Sequence, residues 1–170
     1  MNKIYRDFIF DQSDMQSWRI INDSVMGGLS TGNTVQKAQS ICFFGRVKIE
    51  NNGGFTSSYR KLPPLDKQLN AVAIDIDGDG NSYQLRMRTV VSNTLLDPQS
   101  VYKIDFQTIV GKRQQLLFKL ADFSASLRGK IITDAPALKA ENITEIGFLI
   151  APKCEKVFSL DVYQVKFLHL

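Results

Sequence analysis

Histidine is nearly absent from this chain: its single imidazole, His169, stands one residue from the end of the 170. A Ser-His-Asp or Cys-His nucleophile needs an imidazole held by packing, and a penultimate residue is a poor platform for that. With only two cysteines, Cys42 and Cys154, in no CxxC spacing, zinc sites also lack ligands. Thiols so far apart in sequence predict no disulfide framework in a cytoplasmic chain. Long apolar runs are missing as well. The stretch IGFLIA is among the longest, far short of the ~20 residues that cross a bilayer, so no membrane span is expected. The opening MNKIYRDFIFDQSD has a short apolar patch followed at once by acids and no small-residue cleavage site. No signal peptide is therefore expected, and the cytoplasm is the expected compartment. Charge of one sign is nowhere concentrated. The net charge is +4, yet the longest basic runs are RK at 60–61 and KR at 112–113, whereas nucleic-acid binders gather Lys and Arg on one stripe. What remains is carboxylate chemistry, or none.

What the sequence does contain is alternation. Ile41, Phe43 and Val47 share one face of QSICFFGRVKIE, and Cys42, Phe44, Arg46 and Lys48 the other. AVAIDID, YQLRMRT, VYKIDFQT, ITEIGFLIA and KVFSLDVYQVKFL repeat the period of two, the signature of strands with one face in a core and one in water. Helical patterns are scarce: PPLDKQLN and DAPALKAENI each predict at most a turn, the second opened by Asp134 or Ala135 with Pro136 early. At this length one domain is expected, spanning residues 1–170. About nine short strands divided by Gly, Asn, Asp and Pro turns predict an all-β, two-sheet sandwich.

Two motifs invite a functional reading. DIDGDGNSYQLR, Asp75 to Arg86, begins like a calcium loop, but its twelfth position holds Arg86 where the ion needs a bidentate Glu. The stretch is better read as a strand–turn–strand hairpin with Asp75 on the solvated face beside Arg86 and Arg88. No metal and no cofactor are expected. The second motif is a pair of double glycines, VMGGLS and NNGGFTS, each followed by a large apolar residue and a serine. Neither has GxGxxG spacing, a following Lys-Ser/Thr, or a place between a buried strand and a helix. They are expected to bend backbone, with Asn22 and Asp23 accepting loop amide protons and Trp18 covering the turn.

These residues carry a family resemblance. WRIINDSVMGGLS, FFGRVKIENNGGFTS and GDGNSYQLRMRT, followed by Tyr102, Phe106, DFSASLRG and IGFLI, resemble the CIA30 domain, named for the complex I intermediate-associated protein 30 of mitochondria. The resemblance runs from about residue 5 to residue 167. It implies a galactose-binding-domain-like jelly roll and a role as assembly factor or chaperone, without established catalysis. A proline usual in the family just before the Asp-Phe motif is replaced here by Lys119 and Leu120. The compact chain resembles the free-standing bacterial type.

The resulting expectation is a non-enzymatic module that binds a protein client, such as an assembly intermediate of a membrane complex, and no nucleic acid. Its expected surface is the loop pair Trp18, Asn22, Asp23, Met26, Gly27, Gly28, Ser30 and Asn52, Gly53, Gly54, Phe55, Ser57, with Met26 and Phe55 as apolar anchors. The alternative is a carbohydrate-binding module lined by Tyr83, Arg86, Arg88 and Tyr102, which rests on fold analogy.

Overall fold

The computed structural model describes residues 5–9, 17–50, 54–90 and 99–170. Thirteen strands are present among them: β1 (Tyr5–Ile9), β2 (Trp18–Asn22), β3 (Thr31–Gln36), β4 (Ile41–Val47), β5 (Thr56–Lys61), β6 (Ala71–Asp77), β7 (Ser82–Thr89), β8 (Val101–Gln107), β9 (Arg113–Lys119), β10 (Ser124–Leu127), β11 (Lys130–Ile131), β12 (Ile143–Ile150) and β13 (Lys156–Leu168). One sheet runs β3-β4-β13-β6-β9, and β1 pairs with β13 beside it. The other runs β11-β10-β8-β7-β12-β5-β2. All pairings are antiparallel. The result is the jelly-roll sandwich that the alternation and the resemblance imply.

The inner faces are apolar because the period of two sends the apolar set of each strand one way. Val72, Ile74 and Ile76 of β6 and Phe158, Leu160 and Val162 of β13 line one side; Tyr83, Leu85 and Met87 of β7 and Ile146, Phe148 and Ile150 of β12 line the other. Aromatic rings tie the layers together. Phe158 meets Tyr83 at 6.4 Å between centroids, and Phe118 meets Phe106 at 6.2 Å, within the range of favourable ring pairs. Strand β13 carries more than one partner along one edge: Lys156–Val162 pair with β4, and Gln164–Leu168 pair with β1. A register shift at Tyr163 separates the two stretches on its β6 side.

Two expectations change. β6 and β7 lie in different sheets, so DGDGNS is a corner between layers and not a hairpin tip. Asp75 therefore does not neighbour Arg86 and Arg88; it accepts two 2.8 Å bonds from Arg113 of β9. Period-two alternation is the same for a hairpin within one sheet and for a corner joining two. The two stretches with helical pattern form the single turns expected of them. Asp66–Leu69 forms a single turn closed by Leu69 N–H on the Asp66 carbonyl. Only Ala140–Asn142 is helical in the second, a 3-10 turn, and the Pro136 carbonyl before it accepts the Tyr102 hydroxyl at 2.8 Å. Trp18 does not cover a turn: it is a β2 core residue packed on Phe148, 6.3 Å between centroids.

Candidate functional site

The glycine loops meet at one end of the sandwich around Asp23, which is fully buried. Its Oδ1 accepts the Ser30 amide at 3.0 Å. Its Oδ2 accepts the Ser30 hydroxyl at 2.5 Å, the Gly54 amide at 2.6 Å and the Phe55 amide at 3.2 Å. Ser30 Oγ accepts in turn from the Lys48 amide at 2.9 Å. One carboxylate thus joins the ends of β2, β3, β4 and β5. Burial alone would push its pKa up, but the bond from the Ser30 hydroxyl and the amides of Gly54, Ser30 and Phe55 outweigh that and hold it below the ordinary carboxylate range.

The glycines serve this arrangement. Gly27 ends a short 3-10 turn, Asp23–Met26, in the left-handed conformation, φ 87°. A Cβ on Gly28 would lie 2.3 Å from Asp23 Cγ. The loops do present amides to an anion, but the anion is the chain's own Asp23.

Most of the loop surface expected from sequence is therefore framework. Trp18, Asp23, Ser30 and Ser57 are buried. The Ser57 hydroxyl donates to the Ile21 carbonyl at 2.8 Å, and Asn22 Oδ1 accepts from the Thr56 hydroxyl. Gly27 is exposed and Phe55 half-buried. Asn52, Gly53 and the Met26 side chain lie outside the described residues. Of the alternative set, Tyr83 and Tyr102 point inward and are buried. The Tyr83 hydroxyl donates to Asp79 at 3.0 Å, and burial pushes both phenols above their ordinary pKa. Neither offers a ring to a sugar.

Arg86 and Arg88 point the other way, out of the seven-stranded sheet, and they share that face with residues that sequence reasoning did not connect. Arg19 of β2 stands opposite Tyr59 of β5, Tyr59 opposite Gly147 of β12, and Gly147 opposite Arg86 of β7. A Cβ on Gly147 would sit 2.3 Å from Tyr59 Cδ1, so the bare glycine lets the Tyr59 ring lie across β12. The Arg86 guanidinium donates to the Tyr59 hydroxyl at 3.2 Å. Arg88 and Arg19 lie 4.5 and 5.6 Å from the Tyr59 ring centroid, within cation–π distance. Tyr59 is only 1% exposed although it points away from the core.

Glu145, also on this face, receives both arms of Arg19 and has Arg88 Nε at 3.8 Å. The hydrogen bond from Arg19 is the main reason its pKa falls below the usual carboxylate range. With Lys61 opposite Glu145 and Lys103 opposite Arg86, the face is rich in cationic donors set on paired strands. The side chains of Arg19 and Arg88 stay 43% and 32% exposed. Such a face can grip carboxylates, carbonyls or hydroxyls. Among the described residues, no group of three or more His, Cys, Asp or Glu converges to hold a metal ion.

The fold is a galactose-binding-like jelly roll whose seven-stranded sheet bears arginine and tyrosine on its outer face. Comparison with known proteins makes the family explicit: the model of complex I intermediate-associated protein 30 (CIA30) matches residues 8–162, and the chain belongs to that family. A search of curated protein sequences gives no significant match. Among solved structures, a family 11 carbohydrate-binding module from Clostridium thermocellum, in complex with a β-1,3-1,4-mixed-linked tetrasaccharide, superposes with a TM-score of 0.71 at 14% identity, covering 96% of this chain and 95% of that one. A low-affinity xylan-binding module from Roseburia intestinalis gives 0.53 at 10% identity, covering 97% and 96%. An exo-β-agarase gives 0.59 at 10% identity, covering 95% of this chain and 25% of the agarase. At these identities the likeness is one of fold.

Proposed function

We infer that this chain is a non-catalytic binding module that holds a protein client on the outer face of the seven-stranded sheet. The observation that carries the reading is the cluster of Arg19, Arg86 and Arg88 around Tyr59, fixed by register on four neighbouring strands. Arginine is among the side chains most enriched at the energetic centres of protein interfaces, and the covered Tyr59 ring is the platform on which Arg19 and Arg88 lie. Family membership supports a client such as an assembly intermediate. The non-catalytic part of the reading draws on four of the described acids, Asp23, Asp75, Asp79 and Glu145, which each accept bonds from fixed donors, a poor state for a general acid or nucleophile.

Affinity capture from the native cell, with wild type and Arg86→Glu compared, tests this. Arg86 is the arginine not bonded to Glu145, so its removal leaves that ion pair in place. Loss of specific co-purifying proteins from the variant, at unchanged melting temperature, is expected; an unchanged partner list contradicts the reading. A second reading, a carbohydrate module in the manner of the family 11 neighbour, is weakened by the Tyr59 ring, which is covered and so offers little stacking surface. Saturable binding on a glycan array that Arg86→Glu abolishes would put it first.

A further inference from the structure

The corner end of the sandwich carries an apolar apex that the binding reading does not use. There β8 passes to β9 through Thr108–Lys112, β6 to β7 through Gly78–Asn81, and β12 to β13 through 151–155. The β8–β9 turn is closed by Lys112 N–H on the Ile109 carbonyl at 3.2 Å, with Gly111 at φ 71° in its third position, as a type II turn requires. Val110 occupies the second position and is 72% exposed; Ile109 is 46% exposed, and Val157 nearby is 63% exposed.

This turn is not loose. Thr108 Oγ1 accepts the Gly80 amide at 3.0 Å and donates to the Asn81 carbonyl at 2.7 Å. A Cβ on Gly78 would lie 2.3 Å from the Thr108 side chain, and one on Gly80 would lie 2.8 Å from Val110 Cγ2. Asn81 Nδ2 reaches the Val157 carbonyl at 3.5 Å, and Asp79 Oδ2 accepts the Ser159 amide at 2.7 Å. The corner is stapled to β13, and the staples hold out three aliphatic side chains.

We propose that this corner docks on an anionic lipid surface, with Val110, Ile109 and Val157 entering the headgroup–acyl boundary. Three exposed aliphatic side chains, held out by hydrogen-bonded turns, suit insertion into a fluid apolar layer. Exposed Lys112, Arg113, Lys153 and Lys156 surround the apex, and Arg46 stands opposite Val157 in register. Against them stand Asp77 and Asp79, Asp75 paired with Arg113, and Glu155 paired with Arg46. Five cations against four acids leave the corner cationic by one charge, which suits anionic headgroups. The proposed contact is interfacial, in the way amphipathic surfaces attach.

Sedimentation of the whole chain with vesicles of 70% phosphatidylcholine and 30% phosphatidylglycerol tests this, with pure phosphatidylcholine vesicles as the comparison. Wild type is expected to partition to the anionic vesicles and to weaken with salt. Ile109→Ser/Val110→Ser should lower the partition coefficient about tenfold or more while leaving the melting temperature unchanged; Val110→Ser alone serves if the double variant is unstable. Absence of partition, or partition that both variants leave intact, overturns the proposal. So does a result in which the variants lose only a captured protein, which would make the apex a protein contact instead.

Discussion

Gly27 and Gly28 stand side by side for different physical reasons, and substitution separates them. Gly27 needs its left-handed dihedral, while nothing lies within 4 Å of where its Cβ would go. Gly27→Ala should therefore cost about 1 kcal/mol, the backbone term alone. Gly28 has no positive φ but abuts the Asp23 side chain, so Gly28→Ala should cost about 2–3 kcal/mol by overpacking. Urea denaturation of the two variants gives the comparison directly; equal losses would contradict the assignment. That both glycines bend and pack backbone could be read from sequence by the lack of phosphate-loop spacing. That the loop amides close on Asp23 could not, because Ser30, Gly54 and Phe55 reach it from 7 to 32 residues away, and a side chain's partners at that separation leave no periodic trace.

At the level of strands, legibility depended on which side chains face inward. β4, β6, β7, β8, β12 and β13 announce themselves through large apolar residues at every second position. β5 does not: Thr56 and Ser58 face inward and are fully buried beside Tyr59 pointing outward, so TSSYRK shows no apolar alternation. β2 and β3 were hidden in the same way, one inside a loop-like motif and one in the polar TGNTVQ. The outer-face cluster was half visible, since Arg86 and Arg88 are spaced as outward residues, but Tyr59, Arg19 and Glu145 join them only through cross-strand register. Gly147 is the hinge of that cluster. Gly147→Ala should drive the Tyr59 ring off β12, with stability falling by about 2 kcal/mol and the near-ultraviolet tyrosine dichroism changing. A Gly147→Ala protein with native dichroism and native client capture would show that the ring's position does not matter.

At the scale of the whole molecule, the two sheets are joined by polar ties as well as by the core. Asp79 bonds the β6–β7 corner to β13, and Asp23 gathers the ends of four strands. Both Asp23 and Glu145 have pKa values lowered in the folded chain, which sets the sign of the acid response. A carboxyl that titrates lower when folded than its unfolded value of about 4 gives its full stabilisation above that value. The stabilisation is lost as pH falls through the folded value. The folded chain should hold its stability down to about pH 5 and lose it progressively below pH 4. The glycine motifs of this chain, on this account, serve that buried carboxylate. The most direct measurement is the unfolding free energy of wild type and Asp23→Asn across pH 3 to 7. Asp23→Asn should be about 3 kcal/mol less stable at pH 7, because amides left without their acceptor stay buried, and the two curves should converge toward pH 3. An Asp23→Asn protein as stable as wild type at pH 7 would contradict the account.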